Sequence, residues 1–376
     1  MIKKSLFVLF FLYVFAQCSK IRIPIGGHLT YTNPLFELYA NKTVAFITAA
    51  GVTPEEDAVT IKELLLQANK NIKPKWVPIY GRLCKNGAFD PKIVNMVKSA
   101  DAVYISGGQS GNVLRCLFGD QDVGRRTPLL DAIHEKEVVG GSSAGGMSQP
   151  VNDIIITGQS AESYYAVLEK NLYHRKDGLQ FFTHGLADVH FAERGRQGRL
   201  YVLAFQTQSK LSFGIDEDTG LIQYEDGSLK VTGKGGVLIY DARVQNMTTL
   251  EGGVITHFLT KDDRMDSKGK IIFADYKKIC TSQKEPESSG DIFTDFRDRS
   301  IKVSQYSAPH YVYKGHVGKS RVVEVTMNKL PNTRTACGEN GFASFENLLV
   351  TVKELRGNDQ NIVASDPGPR LYHLDY

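Results

Sequence analysis

The sequence predicts an α/β protein built on a parallel sheet, and three observations predict it. Short apolar and β-branched runs alternate with capped helical patterns through the first half of the chain. The run "KEVVGG" stops in a cluster of the smallest side chains, "GGSSAGG", which contains G-S-S-A-G, an instance of G-x-S-x-G. At 376 residues with 42% hydrophobic content, the chain can also bury one large core or two smaller ones.

The first twenty residues, "MIKKSLFVLFFLYVFAQCSK", place Lys3-Lys4 before an apolar stretch from Leu6 to Phe15. That stretch is too short to span a bilayer and reads as a secretory signal over residues 1–18, cleaved after Ala16 or Cys18. The expected location is secreted or extracytoplasmic, with no transmembrane segment once the signal is removed. A lipid anchor at Cys18 is disfavoured by Gln17 before it. Without Cys18, four cysteines remain: Cys84, Cys116, Cys280 and Cys337, an even set in an oxidising compartment whose pairing the spacing does not determine. Asn41 and Asn246 open glycosylation sequons. A net charge of +4 without any Lys/Arg block gives nucleic-acid binding little support.

"TVAFITAA" from Thr43 reads as a buried strand, followed by Thr53-Pro54-Glu55-Glu56, a capping box with proline at the first helical position. "KWVPIY" from Lys75 and "DAVYIS" from Asp101 are further strands, while Asp90-Pro91 and Thr127-Pro128 open helices. Ser143 therefore follows the strand that starts near Lys136. A helical pattern covers "RGRQGRLYVLAFQTQ", and "LSFGIDE" and "GGVLIYDA" complete a domain spanning residues 19–275. The polar, breaker-rich "SQKEPESSGD" marks a linker over 276–300. Residues 301–376 alternate like strands and read as a small β-rich appendage, which a Cys280–Cys337 bridge would tie to the linker.

A serine hydroxyl is a weak nucleophile until a base takes its proton, so an elbow serine needs a histidine and an orienting carboxylate. His190, between a strand and a helix, and Glu217, at the end of "FGIDE", are the candidates. Both fall at the carboxyl edge where doubly wound sheets build their sites, provided that the strand of Glu217 runs parallel to the others. The developing oxyanion needs two backbone donors, expected from Ala144 and from Gly108 in the loop after "VYIS". Each piece also has a plain reading. A small-residue turn after a strand is ordinary, "GGQSGN" alone could be a tight turn, and Arg194, Arg196 and Arg199 could simply solvate a helix face.

Taken together, "SGGQSGNVLRCL", "GGSSAGGMS", "DVHFAERGRQGRL" and "GIDEDTGL" resemble the cyanophycinase and aspartyl dipeptidase family of serine peptidases, in the family's order, over roughly residues 41–273. The resemblance implies a flavodoxin-like fold related to the class I glutamine amidotransferases, with helices on both faces of the sheet and a nucleophile elbow. It implies Ser143 as nucleophile, His190 as base and Glu217 as the acid that orients it. It also implies a homodimer, and substrate binding by Asp188, Arg194, Arg196 and Arg199, where planar guanidinium forks meet carboxylates. Two departures bear on substrate: Val189 stands where cyanophycinases usually carry glutamine, and Ser110 stands at another glutamine position, for which the adjacent Gln109 would have to compensate.

The expectation is a secreted serine peptidase acting on α- or β-linked aspartyl peptides, without metal or cofactor. The main rival is a catalytically silent relative that binds peptides in the same cleft. A flavodoxin-like cofactor binder would explain the sheet and leave His190 and the arginines unexplained.

Overall fold

The computed structural model describes residues 20–119, 126–155, 174–243, 249–284, 293, 295–317, 321–339 and 342–355. The signal reading, Cys18 and the Asn246 sequon lie outside them.

The parallel strands form as their composition requires. β1 (Ile21–Ile25), β2 (Thr43–Ile47), β3 (Lys73–Val77), β4 (Ala102–Ile105) and β5 (Val138–Ser142) run parallel in the order β3-β2-β4-β5-β1. Four of the five are almost wholly buried, which is why they read as continuous apolar runs rather than alternating ones. The helices α1 (Pro54–Ala68), α2 (Cys84–Gly87), α3 (Pro91–Lys98), α4 (Ser110–Leu117) and α5 (Pro128–His134) connect them. Asp90 and Thr127 cap α3 and α5 by accepting the Lys92 and Leu130 N–H groups. The capping box expected at Thr53 is not made: Pro54 starts α1, but the Thr53 side chain accepts no capping bond. Two apolar clusters, one around Ile47, Val103 and Val139 and the other around Phe46, Tyr104 and Val138, cover the two faces of these strands.

The second half departs from a single doubly wound sheet. The chain passes through α6 (Ala144–Met147), the hairpin β6 (Asp153–Ile155) and β7 (His174–Lys176), and then β8 (Leu186–Val189), α7 (Gln197–Gln206) and β9 (Leu211–Ile215). β10 (Thr219–Gln223), β11 (Leu229–Gly233), β14 (Arg264–Met265) and β15 (Ile271–Ile272) add antiparallel strands beyond β1, so the first sheet is mixed and nine-stranded. β8 and β9 are parallel to each other but belong to a second sheet, continued by β12 (Gly236–Asp241) and β13 (Val254–Thr260). Phe213, Ile215, Leu221, Val231 and Ile239 form an apolar cluster drawn from strands of both sheets.

The C-terminal region is β-rich, as its alternation predicts, and it extends this second sheet. β16 (Lys278–Ile279), β17 (His310–Val317), β18 (Arg321–Cys337) and β19 (Ala343–Leu355) pair antiparallel, and β19 pairs with β13 from Val254↔Val350 to Phe258↔Phe345. The stretch read as a linker carries β16 and the first turn of α8 (Phe296–Gln305). Its polarity hid the spacing of Phe296, Ser300 and Val303, which face the core with α7. Buried Lys277 donates to Asp263 (2.7 Å), Thr260 (2.6 Å) and Ser344 (3.0 Å), fastening three segments together.

The cysteines pair Cys84–Cys116, linking α2 to α4, and Cys280–Cys337, linking the end of β16 to β18. Closing loops of 32 and 57 residues, each bridge is expected to stabilise the fold by roughly 2–5 kcal/mol. Reduction should lower the melting temperature. Alkylation of the unreduced, denatured protein should find none of these four thiols free, and four alkylated thiols would refute both bridges.

Candidate functional site

Strand ends from both sheets converge on Ser143. The turn from β5 into α6 gives Ser143 φ +52° and ψ −118°, a conformation that side-chain-bearing residues rarely adopt, and the Ser143 N–H donates to Ile25 O at 2.9 Å. Small neighbours are obligatory here. A Cβ on Gly145 would sit 2.4 Å from the Ile105 carbonyl oxygen, so α6 can pack against the end of β4 only with glycine at that position.

His190 follows β8, also at positive φ (+45°), with its N–H bound to Gly26 O at 2.8 Å. Its Nε2 lies 2.8 Å from Ser143 Oγ and its Nδ1 lies 2.7 Å from Glu217 Oε1. Glu217 follows β9, at the same edge as His190 because β8 and β9 are parallel. The structure brings together the three residues that the sequence singled out, whereas the sequence reading placed His190 and Glu217 on the first sheet. They come from the second, joined to the first through the Gly26-Gly27 turn after β1. That turn is packed so closely that a Cβ on Gly27 would fall 2.2 Å from His190 Cε1.

The loop after β4 completes the surroundings. A Cβ on Gly107 would lie 2.9 Å from Ser143 Cβ, so this loop runs directly beside the serine, and Gly108 adopts φ +133° against the Ala50 carbonyl. Ala144 is the first residue of α6. Gln109 is exposed at the N-terminus of α4, and its side chain makes no cap bond. Among the described residues, no hydrogen bond joins Gln109 to Ser143 or His190.

The arginine motif divides in a way its spacing did not reveal. Asp188 is fully buried and receives Arg199 through both oxygens, at 2.7 Å from Nε to Oδ2 and by a second, shorter contact to Oδ1. Arg196 Nη1 reaches Asp188 Oδ1 at 3.4 Å and Val189 O at 2.7 Å. Arg199 is 1% exposed, and its guanidinium is engaged with Asp188, so Asp188 and Arg199 form an ion pair behind the site, not a face open to ligand. The same burial places Val189 in the apolar cluster with Met147 and Phe191. Arg194 is different: it is partly exposed, pairs with no carboxylate among the described residues, and lies near enough to His190 to affect its titration.

Four residues escaped sequence reasoning. His28, exposed just after the Gly26-Gly27 turn, contacts Glu217 Oε2 at 3.0 Å through Nδ1. Arg297 on α8 donates to Asp216 at 2.9 Å, and Asp216 also accepts the Ala192 and Gly236 N–H groups, which fixes the backbone just before Glu217. Glu193 accepts the Glu217 N–H at 3.2 Å. The only signal available was position: a glycine pair and a histidine after a strand, and charged residues flanking one.

Burial, then the charges of Arg194, Arg196, His28 and Arg199, holds His190 far below the ordinary histidine range. If the neutral ring is the working form, activity should stay level as pH falls through ~6.5, where an unperturbed histidine would switch off. Loss of solvation and the neighbouring Asp216 push Glu193 up to about 7, so any inflection near neutrality is expected to come from Glu193. Glu193→Gln should remove that inflection, and an acid limb that persists near 6.5 in this variant would contradict the depressed His190. The unfolded chain takes up a proton on this histidine near 6.5 whereas the folded chain does not, so stability should also decline as pH drops below that value.

The fold and site define an α/β protein with a serine on a strained strand-to-helix elbow, hydrogen-bonded through histidine to glutamate. Residues 26–232 match the family model of Peptidase family S51, and the chain belongs to that family. It is 28% identical over 156 residues to the cyanophycinase of Geminocystis herdmanii, covering 40% of this chain and 53% of that one. It is 35% identical over 122 residues to that of Synechococcus elongatus, covering 31% and 36%. The chain thus spans about half the length, or less, of the curated relatives it matches. Among solved structures, a peptidase from an acI-B1 Actinobacterium is similar at a TM-score of 0.48 and 19% identity, over 66% of this chain and 97% of that one.

Proposed function

We propose that this protein is a serine-type peptidase that cleaves aspartyl peptides through an acyl-enzyme. The observation that carries the proposal is the unbroken chain Ser143 Oγ–His190–Glu217 at 2.8 and 2.7 Å on an elbow with positive φ. Neutral His190 would accept the serine proton at Nε2 while Glu217 holds its Nδ1–H and steadies the imidazolium. Backbone N–H groups of Ala144 and Gly108 would receive the charge that develops on the carbonyl oxygen. A serine-directed covalent inhibitor, followed by digestion and mass spectrometry, tests this. Labelling of Ser143 in the native but not the denatured protein is expected, and no labelling would favour a silent binding protein.

Family membership supports the aspartyl preference, and Arg194 is the residue available to deliver it, since Arg196 and Arg199 are buried with Asp188. Arg194→Ala should therefore lower kcat/KM for Asp-Xaa and β-Asp-Xaa peptides by about 10- to 100-fold, the value of one charge-assisted hydrogen bond, while Ala-Xaa changes little. Equal losses on all three would remove Arg194 from substrate selection. We further propose an amidotransferase-like architecture for the parallel half, and secretion with the leader removed. Two cysteine pairs support an oxidising compartment.

A further inference from the structure

Among the described residues, one group of three side chains has its ligand atoms close enough together to hold a metal ion: His28, His190 and Glu217, all within 4.8 Å of one another. Glu217 already bridges the two imidazoles, with Oε1 at 2.7 Å from His190 Nδ1 and Oε2 at 3.0 Å from His28 Nδ1. The rings meet nearly edge to face, at 79° and 5.1 Å between centroids. Proton transfer from Ser143 needs only His190 and Glu217, so the exposed His28 neither gives nor takes a proton in that step.

We propose that His28, Glu217 and His190 Nδ1 form an inhibitory site for a zinc-type divalent cation, with water completing a tetrahedral shell. Two imidazoles and a carboxylate suit a borderline transition metal and discriminate against Mg²⁺ and Ca²⁺, which prefer all-oxygen shells. Zinc–ligand bonds of about 2.0–2.2 Å place tetrahedral ligands about 3.4 Å apart. Reaching that geometry requires closing the gap between His28 and His190, and His28 is free to rotate because its side chain is 69% exposed.

Inhibition follows from proton bookkeeping on a single ring. In the working state neutral His190 keeps its one proton on Nδ1, facing Glu217, and presents the Nε2 lone pair to Ser143. The cation takes the Nδ1 lone pair, so the ring proton must move to Nε2, where it donates to Ser143 Oγ. No proton is lost or gained by the ring, and the base becomes a donor unable to activate the serine. Zinc binding and catalysis thus use opposite tautomers and exclude each other.

The inhibition arm rests on the peptidase reading, whereas binding does not, so calorimetric titration of the untagged full chain with Zn²⁺ comes first. One ion per chain is expected for the wild type and for Ser143→Ala, since the serine is not a ligand. Affinity should fall at least about tenfold in His28→Ala, because loss of a ligand should weaken metal binding no less than loss of an outer-shell partner. Mg²⁺ should give no heat. In the peptide assay Zn²⁺ should inhibit the wild type reversibly, EDTA should restore full activity, and His28→Ala should need correspondingly more zinc. Absence of one-to-one binding, or binding indifferent to His28→Ala, overturns the proposal. Stoichiometric His28-dependent binding to a protein with no peptidase activity upholds the metal site and defeats the functional reading.

Discussion

Ser143→Ala is expected to reduce turnover by on the order of a millionfold while leaving the melting temperature within a degree or two of wild type, as removal of the nucleophile does in serine peptidases. The activity loss follows from the lack of a substitute: among the described residues, Ser143 Oγ is the hydroxyl hydrogen-bonded to His190 Nε2. The small stability effect follows from the deletion of a single partly buried oxygen. His190→Ala should be nearly as severe for activity, because members of such a set act together and their losses do not add. Residual activity above about a hundredth of wild type in Ser143→Ala would mean that another group is the nucleophile. The strained backbone sharpens the test. Alanine keeps the Cβ that serine already carries at φ +52°, so the substitution is expected to leave the elbow as it is.

The elbow, its strand and the histidine and glutamate that meet Ser143 were legible in the sequence because each leaves a local mark. Small residues must flank Ser143 where the Gly145 backbone meets β4, and continuous apolar runs must form strands buried on both faces. The division of labour among the arginines was not legible. Arg194, Arg196 and Arg199 carry the same charge at close spacing, yet Arg199 turns inward to Asp188 while Arg194 turns outward, and only the placement of α7 against β8 decides which. Nor was the second sheet legible: β13 and β19 pair across almost a hundred residues of sequence, and nothing local announces a partner so distant.

That second sheet gives the C-terminal region a bearing on the site. Residues 26–232 carry the family match, yet Arg297, well beyond it, donates to Asp216, and Asp216, next to Glu217, ties its own turn to the Ala192 and Gly236 backbone. Phe293 packs against Gly198 in the first turn of α7, so close that a Cβ there would lie 2.8 Å from its ring. The Glu217 carboxylate that meets His190 Nδ1 is thus supported by helix α8, from a part of the chain whose composition alone suggested a linker.

Asp188→Asn is expected to destabilise the fold by about 3–5 kcal/mol, the effect of leaving a buried charge without its counter-charge. Asp188 is 0% exposed and its carboxylate accepts from Arg199 Nε at 2.7 Å, from the Val189 N–H at 2.8 Å and from Arg196 at 3.4 Å. Asparagine keeps the volume but turns one acceptor into a donor facing a guanidinium, and it removes a carboxylate that two buried cations share. Arg196 already feels the strain of burial: desolvation, then repulsion from Arg199, lowers it to about 9 even with Asp188 in place. Replacing both partners, as in Asp188→Leu with Arg199→Met, should recover much of the loss, because an apolar pair of similar size avoids the desolvation of either charge. Denaturant unfolding of the wild type, both single variants and the double variant measures the coupling directly. If Asp188→Asn unfolds within about 0.5 kcal/mol of wild type, within the range of ordinary surface substitutions, then Asp188 and Arg199 are not a structural pair, and the reading that gives them to the substrate is restored.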